Sequence, residues 1–313
     1  MLNTIKRLKV SYMLYNFFHR KQLKHNEPLY KSLGLKKRYF SPVSSKDFKH
    51  LTQNEAAFDQ TVFEQRIAAL PFWESLPDQS RRSLLNFHKE GYAVLEGFFS
   101  EAEVNAANTK INQLLETGKV KFRYGNKIMF AYRKSEALRN MGQNEKLLEI
   151  LKQLLDKKPI LFQSINFFTG SQQKTHSDSI HMTTYPTGGL IAIWVALEDI
   201  VEGSGPLHYY PRSHTLPYYL NSDYDNEGNA LLIGDKNYAE YEKMIERKKQ
   251  EKQLPKQVFL ARKGDVFIWH ANLLHGGEPH TDKSKTRRSV VFHYFSEGSI
   301  CYHEITQRPA LMP

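Results

Sequence analysis

The hydrophobic period of this chain changes near residue 160, and that change limits its folds more than any other feature. Before it, apolar residues recur at helical spacing. Ser100 and Glu103 form a capping box, and Val104, Ala107, Ile111, Leu114 and Leu115 follow as one stripe that ends at Gly118. Leu147, Leu148, Leu151, Leu154 and Leu155 predict a second helix, stopped by Pro159. Residues 51–90 also read as helical and lead into a short strand over Gly91–Leu95. After residue 160 come short apolar runs at Leu161–Phe168, Leu190–Leu197, Leu207–Tyr210, Val258–Ala261, Val266–His270 and Ser289–Phe295. Gly188-Gly189, Gly203-Ser204-Gly205-Pro206 and Lys263-Gly264-Asp265 punctuate them as turns. Helices followed by many short strands predict an α+β chain whose second half is a β-sandwich or barrel. Residues 237–256 interrupt the strands with a highly charged helix, within an insertion at about 215–256. The charge favours a solvated helix over a lid.

The net charge of +11 is unevenly spread. Residues 1–40 hold ten Lys and Arg against one acid, Glu27, which leaves the remaining 273 residues near neutral. Residues 1–50 therefore read as a basic N-terminal arm and 51–313 as the functional domain. Such an arm suits an anionic surface, and peripheral contact of residues 1–40 with an anionic membrane is the partner it points to. On a helical wheel Lys6, Lys9 and Arg20 fall among Leu2, Met13 and Phe17, a poor amphipathic split. The longest apolar candidate, Val10–Phe18, is broken by Ser11, Tyr12, Tyr15 and Asn16 and is far short of a membrane span. His19-Arg20-Lys21 follows it in place of a signal-peptide cleavage site. The single cysteine, Cys301, excludes an internal disulfide framework and fits a reducing, cytoplasmic setting. No aromatic-interleaved basic strand, helix-turn-helix or zinc pattern marks a nucleic-acid binder.

His176 and Asp178 lie two apart, so on a strand they share a face. His275 follows 97 positions after Asp178, and Arg287 twelve after that. Two imidazoles and a carboxylate on one side of a metal form the facial triad of non-heme iron oxygenases. Arg287 would add a forked cation for a carboxylate co-substrate. Taken alone, a His-x-Asp pair is as easily a hydrogen-bonded surface pair. Among the other histidines, His181 is the expected pocket residue, while His208, His270, His280 and His293 read as structural or supporting and His214 as a turn residue.

The ordered surroundings resemble a known family. His176-Ser177-Asp178 is followed by Trp194-Val195-Ala196-Leu197-Glu198-Asp199, Gly203-Ser204-Gly205-Pro206-Leu207 and Tyr210-Pro211-Arg212-Ser213-His214. Lys263-Gly264-Asp265-Val266, Leu274-His275-Gly276-Gly277 and Arg287-Arg288-Ser289 complete the order. Together, over residues 82–300, they resemble the phytanoyl-CoA dioxygenase family of Fe(II)/2-oxoglutarate oxygenases. The resemblance implies a double-stranded β-helix, a cupin-like jelly roll with N-terminal and flanking helices. It implies His176, Asp178 and His275 as iron ligands and Arg287 as partner of the distal carboxylate of 2-oxoglutarate. Asn166 is implied as a hydrogen-bonding contact of that co-substrate and Trp194 as a pocket wall. The expected cofactors are Fe(2+), 2-oxoglutarate and O2, and the expected activity is oxidation of a small organic substrate with release of succinate and CO2. A non-catalytic jelly-roll binding protein is the alternative. An intact Asp178 argues against halogenation, since a carboxylate there occupies the place a halide needs. Two positions depart from the family pattern. Gly277 stands where serine is common, and Arg287 is one residue farther from the histidine than usual, which makes Arg288 a competitor. Period-2 alternation sends only one of the two arginines inward.

Overall fold

The computed structural model describes residues 4–51 and 58–312. Leu2 lies outside them. Among the described residues twelve strands succeed one another: β1 (Tyr92–Leu95), β2 (Lys127–Met129), β3 (Pro159–Phe167), β4 (Thr183–Tyr185), β5 (Leu190–Ala196), β6 (Leu207–Tyr209), β7 (Gln257–Phe259), β8 (Val266–His270), β9 (His275–Gly277), β10 (Ser289–Ser296), β11 (Ile300–His303) and β12 (Arg308–Pro309). All pairings are antiparallel. They form a six-stranded sheet in the order β1-β8-β5-β10-β3-β2 and two three-stranded sheets, β12-β11-β4 and β7-β6-β9. The fold is the expected α+β jelly roll. Each apolar run of the second half forms a strand, with ends shifted by a few residues. Short β2, β4, β9, β11 and β12 are additional, because three or four residues carry too little periodicity to stand out. In β9 the Gly276-Gly277 pair also has low strand propensity.

Four helices bear on the site and on the surface around it: α1 (Lys9–Phe18), α2 (Glu101–Glu116), α3 (Glu145–Leu155) and α4 (Tyr238–Glu251). The predicted capping box on α2 is present, with Ser100 and Glu103 satisfying each other's backbone N–H. Val104, Ile111, Leu147 and Leu151 of α2 and α3 pack with Ile191, Ile193, Val195 and Phe292 in one core on the outer face of the six-stranded sheet. On the inner face Trp194, Phe267, Trp269 and Val291 meet Leu207 and Tyr209 of the smaller sheet. The functional cavity lies between these two sheets.

Two segments differ from expectation. Residues 1–50 do not trail as an arm where they are described. Tyr30, Val43 and Phe48 are buried against Tyr185, Ile300 and Tyr302, and the Phe48 and Tyr185 rings stack 4.3 Å apart. The basic composition hid these scattered apolar anchors. In the insertion, α4 is helical but seated rather than wholly solvated. Tyr241, Met244 and Ile245, at i, i+3 and i+4, pack against Ile180, Tyr210 and Leu274. No helix among the described residues is long and apolar enough to cross a membrane.

Candidate metal centre and its pocket

His176 and His275 face each other as an isolated antiparallel bridge. Each backbone N–H donates to the other's carbonyl at 2.9 Å. This ladder closes the long sequence gap and sets the two rings 4.6 Å apart. Asp178 opens a short 3-10 turn, Asp178–Ile180, two residues after His176. One ligand atom from each of the three residues lies within 4.8 Å of the others.

The proton positions on the imidazoles follow from their partners. His176 Nδ1 lies 2.8 Å from the carbonyl of Lys174, and His275 Nδ1 lies 2.9 Å from that of Leu273. A carbonyl only accepts, so each Nδ1 carries the proton and each Nε2 presents its lone pair inward. Burial, reinforced by His275 and His181, holds His176 well below its ordinary range, so its ring is neutral at physiological pH. Burial opposes the charge of Asp178, but His275, His293 and His176 outweigh it and hold the carboxyl well below the usual carboxylate range. The Trp269 indole N–H donates to Asp178 Oδ2 at 2.7 Å, which leaves Oδ1 toward the histidines, 3.7 Å from His275 Nε2 and 4.0 Å from His176 Nε2. Two imidazole Nε2 atoms and an ionised carboxylate, oriented by carbonyls and an indole, are the donor set a divalent iron needs.

These groups border a cavity of about 220 Å³ whose walls include Met129, Ile165, Phe167, Trp194, Leu207 and Val291. Arg287 enters it from the residues just before β10 and is only 3% exposed. Its Nε donates to the Gly205 carbonyl at 3.0 Å and its Nη1 to Ser289 Oγ at 2.9 Å. Burial lowers its pKa to about 10, with Glu198 opposing, so it stays charged at neutral pH. Among the described residues it forms no ion pair, and a buried cation in that state calls for an anionic ligand. Arg288 points the other way, with Nη1 donating to Asn112 Oδ1 at 3.0 Å. Of the two, Arg287 is the one that lines the cavity.

Trp194 lines the cavity, and its indole Nε1 has no hydrogen-bond partner among the described residues. Asn166 does not line it. The β3 residues on the cavity side are Gln163, Ile165 and Phe167. Asn166 is in register with Ile128 and Val290, and through them with Val195 and Val266 of the helix-facing core. A cross-strand row shares one face, so Asn166 turns away from the pocket. The role implied for it fails because the strand parity is offset by one. Gly277 is explained by crowding. A Cβ there would lie 2.6 Å from Ser171 Oγ and 2.8 Å from Gln172 N, so this chain places a Ser171 hydroxyl where a serine at 277 would have to fit.

Other cavity residues carry no sequence motif. Lys127 Nζ donates to Gln173 Oε1 at 3.0 Å, and burial lowers the lysine's pKa. His181, foreseen, lies with His303, not foreseen, on the same wall. His181 Nε2 is 3.1 Å from the Tyr238 hydroxyl of α4, so the inserted helix reaches the pocket. His293 shares the inward parity of Arg287, Ser289 and Val291. That parity was the available signal for it.

Residues 87–289 match the family model described as Phytanoyl-CoA dioxygenase (PhyH). The chain belongs to the phytanoyl-CoA dioxygenase family. Like its family, it is a 2-oxoglutarate-dependent dioxygenase, with iron as cofactor and 2-oxoglutarate as co-substrate. It is 23% identical over 273 residues to phytanoyl-CoA dioxygenase domain-containing protein 1 of Danio rerio, covering 68% of this chain and 89% of that protein. Against the Caenorhabditis elegans homolog it is 24% identical over 172 residues, covering 52% and 56%. Among solved structures, the carbocyclase SnoK from nogalamycin biosynthesis superposes with a TM-score of 0.58 at 18% identity, over 72% of this chain and 87% of that one. EctD from S. alaskensis, solved with 2-oxoglutarate and 5-hydroxyectoine, gives 0.53 at 18% identity over 69% and 76%. At these identities the two structures establish a shared fold.

Proposed function

We propose that His176, Asp178 and His275 hold the ferrous ion, that Arg287 receives the distal carboxylate of 2-oxoglutarate beside Trp194, and that the enzyme hydroxylates a small organic substrate. The convergence of the three ligand atoms, with both Nδ1 protons held by backbone carbonyls, carries this reading. Iron with 2-oxoglutarate and O2 supplies an oxidation of an unactivated carbon coupled to release of succinate and CO2. The chain's own residues do the rest. Lys174 and Leu273 carbonyls orient the rings, Trp269 fixes Asp178, and Arg287 fixes the keto acid by charge and fork geometry. Met129, Ile165, Phe167 and Val291 exclude water and give an apolar substrate its binding surface. We read residues 51–313 as the dioxygenase domain with its insertion at about 215–256, and residues 1–50 as a basic segment that meets anionic membrane peripherally from the cytoplasm.

Anaerobic titration with Fe(II) in the presence of 2-oxoglutarate tests the assignment. One iron should bind per chain, and His176→Ala or Asp178→Ala should abolish binding while the variants stay folded. Equal iron binding by all three proteins would refute the ligand set. A panel of acyl, amino-acid and natural-product substrates, scored by succinate release, then identifies the substrate class.

A further inference from the structure

Helix α1 is seated with its apolar side outward. Val10, Leu14, Phe17 and Phe18 stand at i, i+4, i+7 and i+8, which places them on one face. They are 50%, 54%, 40% and 78% exposed. The inward side carries Asn16, whose amide donates to the Phe40 carbonyl at 2.9 Å. Arg20 lies just past the end of α1, and its guanidinium returns over Phe17 at the edge of the stripe. Leu231, 73% exposed, sits beside the start of the helix, where its carbonyl accepts from the Lys9 N–H at 2.9 Å. The groove between them is bordered by Lys36, Lys37, Arg38 and Lys46, with Asp47 as its acid. Among the described residues Lys21, Lys24, Lys36 and Lys46 are exposed and form no ion pair.

We propose that this face is a docking surface for a bilayer carrying anionic lipids, with the apolar stripe of α1 entering the interface and the surrounding lysines meeting lipid phosphates. A stripe of four adjacent exposed apolar side chains loses free energy in water unless something covers it. The cover must be apolar over the stripe and anionic beside it, because the groove at the Val10 end is bordered by Lys36, Arg38 and Lys46 and the chain just beyond the helix adds exposed Lys21 and Lys24. A bilayer interface rich in anionic headgroups has that layered chemistry. Arg20, with its guanidinium 4.4 Å above the Phe17 ring, has the geometry of a cation that lies along apolar surface and keeps its charge at headgroup level. Net charge alone implies loose attraction. The stripe adds insertion, a specific helix face and a fixed orientation. The inference rests on this surface and is independent of the catalytic assignment.

Flotation of the full chain with phosphatidylcholine vesicles containing about 30 mol% phosphatidylserine, against phosphatidylcholine alone, tests it. Binding should require the anionic lipid and weaken as salt rises. The double variant Lys21→Glu/Lys24→Glu should lower the partition coefficient by roughly thirtyfold or more, since each cation near the surface contributes about a factor of five. Leu14→Ser/Phe18→Ser should lose binding that high salt cannot further reduce, with iron content and succinate release unchanged. Absence of wild-type binding at low salt, or wild-type levels of binding by both double variants, overturns the proposal. So does concentration-dependent dimerisation of the wild type that Leu14→Ser/Phe18→Ser abolishes, because a second copy would then be the occupant.

Discussion

On β5, Ile191, Ile193 and Val195 turn toward the helices, while Ala192, Trp194 and Ala196 turn toward the smaller sheet and the cavity. On β10, Val290, Phe292 and Tyr294 take the first direction, and Val291 and His293 the second. One set of strands thus builds two surfaces of opposite character. The helix-facing side is close-packed and almost wholly apolar, with Ser164 and Asn166 as its polar members. The cavity side holds the buried cation, the indoles and the histidines. Parity along a strand decides which chemistry a residue joins, and a shift of one position exchanges scaffold for site.

Substitutions on the two faces should therefore separate stability from function. Phe292 lies so close to Gly142 that a methyl on that glycine would come within 2.7 Å of its ring. Phe292→Ala should cost about 3–5 kcal/mol of unfolding free energy, read by urea denaturation, while the KM for 2-oxoglutarate of the folded protein stays at the wild-type value. Arg287→Leu should do the reverse. Losing a charge-assisted fork to a carboxylate should raise the KM for 2-oxoglutarate roughly 30- to 100-fold, on the order of 2–3 kcal/mol. Stability should hold or rise, since an unpaired buried charge is removed. If Arg287→Leu left that KM unchanged and Arg288→Leu raised it, the parity argument would be wrong at its most important residue.

A pH series probes the buried imidazoles outside the ligand set. Burial, with His214 and His88 adding, lowers His270 from 6.5 to about 3. The folded pKa is below the unfolded one, so the unfolded chain takes up the proton first as pH falls. The stabilisation is complete above about pH 6.5 and is lost progressively toward pH 3. At pH 5 the loss from this one residue reaches at most about 2 kcal/mol. His270→Gln should flatten the fall in unfolding free energy between pH 6.5 and 4 by about one proton. An unchanged slope would mean that the ring is hydrated enough to titrate normally.

The sequence made the chemistry legible where it lay in short, ordered motifs. His176, Asp178 and His275 come together, and the period of a strand lets only one of Arg287 and Arg288 face the cavity. Parity could not be carried back to β3, because register between β3 and β10 is set by a tertiary irregularity at His293 and Tyr294. Lys127 and Gln173 lie outside any motif and reach the pocket through pairing at the sheet edge. The anchors Tyr30, Val43 and Phe48 are dispersed among cations, and Tyr241, Met244 and Ile245 among Glu and Lys. In both segments overall charge masks the few apolar side chains that decide packing. The exposed stripe on α1 is hidden differently, since which side of a helix faces water is fixed only by what the other side touches.

The smallest effect gives the sharpest test of the two-face picture. Asn166 is 1% exposed, and neither its amide nitrogen nor its amide oxygen finds a partner among the described residues. Its cross-strand neighbours on that face are apolar. Replacing an unpaired buried amide by an apolar group of similar size removes a desolvation penalty and keeps the volume filled. Asn166→Leu should therefore be neutral or stabilising by up to about 1 kcal/mol, seen as an unchanged or higher denaturation midpoint. The KM for 2-oxoglutarate should stay within about twofold of wild type, because under about 0.5 kcal/mol separates those values. A tenfold rise in that KM without loss of stability would mean that the amide reaches the co-substrate. The row of Ile128, Val290, Val195 and Val266 would then not define the face on which residue 166 lies.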